Sequence, residues 1–496
     1  MKFRSIHAVR GVSRRKVLAA AAASLPLLGM SRALRAAPEK VDVAVVGGGL
    51  AGMYAAMLLN DLGASVLVLE GDSRPGGRCR TTDSWGSPVD LGASQIGGTY
   101  GRIHSVCDRL GIARAPGAHM NAPYTPVIGG RMIPAKEWPD SKYNKTVGGE
   151  RAILPHALFG YYVGQRTPLE SLTEWRSPAA AEYDMSVEAW LLAQGASEEA
   201  RRLMYEALGR VSLAEKSVLR MLQEVTRGRV EMDRISAEQK KNLDQYEVAA
   251  LLSSHVVGGT SRLTDAMAEE LGDRLRLSSK VTSITQNSES CRVTLESGAT
   301  VDAGFVLAAT PFSTLRKIRF DPPLSGAQAE AVAEMPYNNQ SQVWMGVKAP
   351  YWEDDGLDAS LWTDGPLQYV RQQIEPNGSR IMMSAITSGQ KARFMDSLTP
   401  AQRGQFALDE IARIRPSTSG KLELLGTHSW NDGPTAGGCS FELPTGRALK
   451  WITTMGEPHG RVHFAGEHLR VVELGMEAAM ETGERAAIAI AERSLV

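Results

Sequence analysis

The sequence predicts an α/β chain in which one parallel-sheet domain is assembled from discontinuous segments and a second, α+β domain fills the gaps between them. Three observations lead there. A strand, a glycine-rich turn and a helix follow one another in Val41-Asp42-Val43-Ala44-Val45-Val46-Gly47-Gly48-Gly49-Leu50-Ala51-Gly52. A similar pattern returns near His255 and again near Arg461, each time after a long stretch of different character. The 496 residues, 43% of them hydrophobic, are enough for two sizeable cores.

Ahead of the first strand, Ser13-Arg14-Arg15-Lys16-Val17-Leu18 places paired arginines before an Ala- and Leu-rich run from Val17 to Met30, with small residues for cleavage near Ala33 or Ala36. Residues 1–36 thus resemble a twin-arginine export signal, which implies a periplasmic protein. The run falls short of the roughly 18 apolar residues that a membrane span needs.

The opening motif is a dinucleotide cradle of the Rossmann-like kind. Val43, Val45 and Val46 are β-branched strand formers, Gly47 makes the tight turn, Gly49 lets the backbone approach a pyrophosphate and Gly52 lets helix and sheet pack closely. Leu50 and Ala51 lead into a helix from Met53 to Leu62, whose N-terminus faces the phosphates. The next apolar run, Val66 to Leu69, ends in Glu70, placed for ribose hydroxyls. Two loops complete the unit. In Arg74-Pro75-Gly76-Gly77-Arg78 the backbone N–H groups around Gly77 and the Arg78 guanidinium suit an anion, and Gly92, Ala93 and Ser94 follow in Asp90-Leu91-Gly92-Ala93-Ser94-Gln95.

From about Pro123 to Ser253 the pattern changes to aromatic-rich loops and amphipathic helices, predicted at Ser186 to Gln194 and Ser197 to Val211. The nucleotide-type pattern then resumes, with strands expected at Leu275 to Thr285, Cys291 to Glu296 and Phe305 to Ala309, the last ended by Pro311. After a second excursion come a strand and turn at Arg461 to Glu467 and a final helix from about Gly475 to Arg493. The expected partition is residues 40–122, 254–320 and 440–496 in the cofactor domain, and 123–253 and 321–439 in a substrate domain. Substrate would enter between them.

Equal numbers of basic and acidic residues, 55 each, give no overall field to attract nucleic acid. The four cysteines, Cys79, Cys107, Cys291 and Cys439, show no CxxC and no neighbouring His pair, so no metal site is expected.

Taken together, VGGGLAG, LEGDSRPGGR, VDLGAS, VGGTSRL, LAATPFSTLRKIRF, Trp430 with GGC downstream, FAGEH and GMEAAMETGERAA resemble the flavin-containing amine oxidase family of the monoamine oxidase type. The resemblance covers nearly everything after residue 36 and implies FAD as cofactor. It assigns Gly47, Gly49, Gly52, Glu70, Gly77 and Arg78 to the adenosine and pyrophosphate half, Val281 to the adenine wall, and Gly466, Glu467 and Met476 to the flavin half. Gly475 and Met476 also open a helix, whose unpaired N–H groups and dipole favour electron density on a reduced flavin. Lys317 matches the lysine that holds a water against the hydride-accepting nitrogen, and Cys439 the cysteine that in some members attaches the flavin through a thioether. His463 and His468 read as structural.

One departure stands out. Where many members place two aromatic residues around the amine, this chain has Ser440 and Gly475. Either a bulkier substrate fits, or Trp138, Tyr143, Tyr161 or Tyr162 reaches in from the insertion. The expected activity is oxidation of a C–N bond by hydride transfer to flavin, giving an imine and then a carbonyl product. The competing readings are desaturation of a bulky apolar, isoprenoid-like molecule and a non-catalytic flavin carrier. The expected partners are an amine, oxygen or a periplasmic cytochrome c or quinone as acceptor, the twin-arginine export machinery, and a second copy in a homodimer.

Overall fold

In the computed structural model the described residues are 39–116, 123–164, 167–208, 212–243, 247–248, 251–374, 381–431, 433 and 437–494. The export signal expected at 1–36 lies outside them. Glu39–Val496 forms one compact unit.

Its larger sheet has eight strands. Glu39–Val46 lies between Val66–Leu69 and Thr300–Ala308, parallel to both, with Leu275–Arg276 beyond Val66–Leu69 and Val462–Phe464 parallel to the end of Thr300–Ala308. The strand facing helices on both sides has to be apolar throughout, and Val43 to Val46 are all buried. The sheet is mixed, however. Val281–Gln286, Cys291–Leu295 and Thr300–Ala308 form an antiparallel meander, with Arg319–Asp321 parallel at its edge. The single strand predicted over Leu275 to Thr285 is therefore two. Between them the N–H groups of Ser278 and Ser279 donate to the carbonyls of Asp72 and Glu70, and Ser278 adopts a left-handed φ of 51°, which turns the chain.

The opening helix starts three residues earlier than predicted, Leu50–Asp61, because Gly49 is its N-cap. The closing helix, Gly475–Ser494, crosses it so closely that a Cβ on Gly483 would stand 2.4 Å from the Ala51 carbonyl oxygen. The two insertion helices are Val187–Ala193 and Glu198–Leu208. The first is shorter than predicted, since Ser186 caps it from outside, its hydroxyl accepting from the Ala189 N–H, and the second begins at Glu198 rather than Ser197. Residues 209–211 lie outside the described residues.

A second, seven-stranded sheet runs in the order Leu422–Ser429, Gln340–Val347, Ile381–Ser388, Tyr369–Ile374, Ser360–Thr363, Tyr124–Ile128, Arg131–Met132. Its residues alternate between two packings. Val343, Met345, Val370, Met383 and Ala385 share a core with Ala407 and Ile411 of the helix Pro400–Ile414, whereas Trp344 and Met382 pack with Val89 and Leu91. A two-stranded ribbon, Tyr337–Asn338 with Ser440–Phe441, pairs Asn338 with Ser440.

Candidate active site

A cavity of about 860 Å³ opens where the glycine turn, the edge of the second sheet and the N-terminus of the closing helix meet. Of the residues expected to hold cofactor or do chemistry, Gly47, Gly49, Leu50, Ala51, Glu70, Gly77, Arg78, Gly92, Ala93, Val281, Lys317, Cys439, Gly466, Glu467, Gly475 and Met476 line it. Two do not. Gly52 lies beneath, where a Cβ would meet the Gly47 carbonyl oxygen at 2.0 Å, so its role is close packing. Ser94 is absent from the lining, although its neighbours Gly92 and Ala93 belong to it.

The cradle is built from backbone. Gly47 has a φ of 112°, open to glycine and unfavourable for other residues, and a side chain there would strike Ala309 and Thr310. Gly49 has no atom within 4 Å of its missing Cβ, so its face toward the cavity is free for a ligand. The Gly76 N–H donates to the Gly48 carbonyl at 2.8 Å and clamps the second loop onto the first. Glu70 accepts from the Gly48 N–H at 2.6 Å and from the Asp72 N–H at 2.7 Å. Burial nevertheless pushes its carboxyl above the usual range, the two N–H groups working against that shift. These features fit a dinucleotide pyrophosphate and ribose.

Arg78 does more than face an anion. Its Nη1 donates to the Cys439 carbonyl at 2.8 Å and lies 3.8 Å from Glu467, which joins the glycine loop to the Cys439 strand. Behind that strand the guanidiniums of Arg220 and Arg470 sit over the Phe441 ring at 4.9 and 5.2 Å. Arg220 pairs with Glu442 at 2.8 Å and Glu224 at 2.9 Å, and Arg470 with Glu224 at 3.0 Å and Glu467 at 3.4 Å. Cys439 through Glu442 are thereby held by a buried ring of charge. Sequence reading missed it because the stretches that supply it, 220–224, 442 and 467–470, lie far apart along the chain.

The remaining wall comes from the second sheet. Gln340, Thr427, His428, Ser429 and Trp430 line the cavity. Gln342 Nε2 donates to the Leu91 carbonyl and to Gln340 Oε1, both at 2.8 Å, and Trp430 Nε1 also donates to Leu91 O, at 3.0 Å. His428 stands edge-on to Trp430, ring centroids 4.8 Å apart, and burial pushes its imidazole down to about 4. His468, expected to be structural, is also on the lining. It is 1% exposed, packs edge-on against Phe312 at 4.3 Å and has no hydrogen-bond partner on either ring nitrogen among the described residues. Burial, aided by Arg78, pushes it down to about 3, so the cavity sees a neutral ring.

The aromatic replacements expected from the insertion are not on the lining. Trp138 is fully buried and donates to the Ile153 carbonyl, Tyr162 donates to Glu150, Tyr143 lies beneath Arg131 and Lys142, and Tyr161 stands edge-on to Tyr162. Tyr100 is the ring that comes near instead, its hydroxyl 3.5 Å from where a Cβ on Gly475 would be. The Lys317 side chain is exposed and reaches the cavity wall from the turn that precedes Arg319–Asp321. None of the four cysteines is in a disulfide.

Comparison with known proteins supplies the family. The profile of the flavin containing amine oxidoreductases matches residues 50–491. The chain is 28% identical to flavin-containing amine oxidase B of Homo sapiens over 467 residues, covering 90% of this chain and 86% of that one. Similarity to the flavin-containing amine oxidase of Danio rerio is 26% over 467 residues, 90% and 84% of the two chains. Among solved structures, the fold is similar to cyclohexylamine oxidase from Brevibacterium oxydans, with a TM-score of 0.75 at 23% identity over 92% of this chain and 100% of that one. It is also similar to wild-type putrescine oxidase bound to putrescine, at 0.69 and 21% over 92% and 99%. The chain belongs to the flavin-containing amine oxidoreductase family, and is an FAD-dependent oxidoreductase acting on C–N donors.

Proposed function

We propose that this protein is an exported amine oxidase or dehydrogenase in which Gly49, Glu70, Gly77 and Arg78 hold the dinucleotide half of FAD, and Gly466, Glu467, Gly475 and Met476 hold the flavin. When bound, FAD supplies the two-electron acceptor for a hydride from the carbon next to nitrogen, leaving an imine that water converts to a carbonyl compound and ammonia or a smaller amine. The observation that carries this reading is the convergence around one cavity of the glycine cradle, Cys439, Lys317 and the N-terminus of Gly475–Ser494.

The protein's own part is positioning. The closing helix presents unpaired N–H groups and the positive end of its dipole, which favours negative charge in the cavity. His428 and His468 are neutral, so neither ring adds positive charge beside the amine. Lys317 brings a positive charge and a donor that can hold water. Cys439, anchored through its carbonyl by Arg78, is the proposed point of a thioether to the flavin, which would keep the cofactor with the protein after export.

Anaerobic bleaching of the purified flavoprotein by a panel of amines, amino acids and terpenoids tests the donor class. Bleaching by terpenoids alone overturns the amine reading. Yellow colour surviving acid precipitation, and lost in Cys439→Ser, supports the covalent link. Mixing reduced protein with air or with cytochrome c identifies the acceptor. Export through the twin-arginine route predicts a periplasmic protein that stays in the cytoplasm when Arg14 and Arg15 are both replaced by lysine. Among the described residues no helix is long and apolar enough to cross a membrane.

A further inference from the structure

A second cavity, of about 190 Å³, lies where the turn Glu174–Arg176 of the insertion, the helix Ala448–Thr454, the strand Val462–Phe464 and the closing helix Gly475–Ser494 meet. It shares no lining residue with the cofactor cavity. Part of its lining is apolar, supplied by Ile452, Met455, Phe464 and Leu469. Arg176, Arg485 and Glu457 line it as well. Arg485 and Glu457 are exposed, so the cavity reaches the surface.

Arg176 is the unusual member. It is half-buried, yet among the described residues its guanidinium has no carboxylate within ion-pairing distance and no hydrogen-bond partner. Elsewhere Arg78, Arg220, Arg227 and Arg470, buried or half-buried, each stand beside a carboxylate. Burial, and after it the charge of Arg485, pull the Arg176 guanidinium below its usual range, against the opposing effect of Glu457 and Glu481. His463, the remaining titratable group on the lining, is pushed down to about 4 by burial and then by Arg493, so it adds no charge. Two guanidiniums against one carboxylate leave the cavity positive.

We propose that this cavity is a ligand site for a small organic carboxylate, held by the Arg176 and Arg485 guanidiniums with its apolar body against Phe464 and Leu469. The inference goes beyond the amine chemistry and does not depend on it. A planar guanidinium meets a carboxylate through two parallel hydrogen bonds, and a single carboxylate balances the excess positive charge. Inorganic phosphate carries more charge than that, is repelled by Glu457 and leaves the apolar lining uncovered. An uncharged analogue of the carboxylate leaves both guanidiniums without a partner.

Calorimetry on the holoenzyme compares benzoate, benzyl alcohol and inorganic phosphate. Benzoate should bind on the order of tenfold tighter than either of the others. Arg176→Gln and Arg485→Gln should each weaken it by a similar factor, with flavin content and amine turnover unchanged. Ala489→Phe, which fills the cavity and keeps both arginines, should abolish binding. Benzoate should also raise the melting temperature of the wild type and not that of Arg176→Gln. Without ligand, Arg176→Gln should melt no lower than wild type, because it removes a half-buried charge that has no partner. No binding of benzoate, binding equal to that of benzyl alcohol, or tighter binding of phosphate overturns the site. So does benzoate binding that survives all three substitutions, which places it in the cofactor cavity, or a fall in the melting temperature of ligand-free Arg176→Gln, which gives the arginine a structural role. If no amine bleaches the flavin while benzoate binds as described, the amine reading alone fails.

Discussion

The two sides of the cavity are built on opposite terms. On the glycine side, backbone meets backbone. Gly76 N–H is paired with Gly48 O, Glu70 is held by two N–H groups, and a Cβ at Gly47 or Gly52 would collide with neighbouring backbone. On the rest of the lining the structure is made by side chains, and Ser440, His428 and His468 keep polar atoms without partners among the described residues. The first side is stiff and complete and tolerates one ligand shape. The second holds unsatisfied groups in fixed places, each costing about 1–3 kcal/mol until something binds it. A cofactor common to a whole family suits the first, and a substrate particular to one enzyme suits the second.

The contrast breaks most violently at Gly52. A valine there would place its Cβ 2.0 Å from Gly47 O, so Gly52→Val is expected to yield no folded, FAD-retaining protein, judged by solubility and the ratio of flavin to protein absorbance. Gly49→Ala sharpens the point. Its Cβ meets open space, so the fold should survive within about 0.5 kcal/mol, with the loss confined to FAD retention.

Next in size is the charged ring behind Phe441. Arg470 is 3% exposed and serves both Glu224 and Glu467, which keep Arg220 and Arg78 as further partners, so Arg470→Met removes one buried guanidinium without stranding either carboxylate. The cost should lie below the about 3–5 kcal/mol of a buried pair broken outright, and urea unfolding of the holoenzyme would register it. If the cost is near zero, the ring does not hold the Cys439 strand as described. Lys317→Met acts on chemistry instead. Its reoxidation by oxygen should fall on the order of 10²-fold, and by much more than anaerobic reduction by amine does, in stopped-flow traces.

These predictions divide along the line of what was legible in the sequence. The cradle was readable because glycine spacing, β-branched strand residues and Glu70 are constrained by backbone geometry, which is local. The helix start moved by three residues, and Ser94 fell off the lining, because caps and loop ends depend on what packs against them. The opposite wall was not readable. Asn338 meets Ser440 across 102 positions of sequence, and Arg220 meets Glu442 across 222, so no window of sequence contains either pair. His468 reads as structural in the sequence, and nothing near it there marks a histidine whose two ring nitrogens are buried without partners among the described residues on a cavity lining.

The smallest effect concerns that histidine and has a definite sign. Its imidazole is pushed from the ordinary 6.5 down to about 3, first by burial and then by Arg78. Above pH 6.5 neither the folded nor the unfolded chain carries the proton, so His468 adds no pH dependence. Below it the unfolded chain takes up a proton that the folded one refuses, and stability falls as pH drops toward 3, by about 1.4 kcal/mol per pH unit for one group. Glu70 and Asp90, whose carboxyls burial holds above their usual range, pull the other way on acidification. The whole-protein curve therefore mixes signs, and the difference between wild type and His468→Phe isolates the one of interest. Urea midpoints at pH 7.5 should show a fixed offset between the two proteins, and at pH 5.5 that offset should have moved by about 1.4 kcal/mol in favour of the variant. An unchanged offset would mean that the ring is protonated in the folded state, with a partner in the cavity that makes the wall less empty of hydrogen bonds than the glycine side suggests.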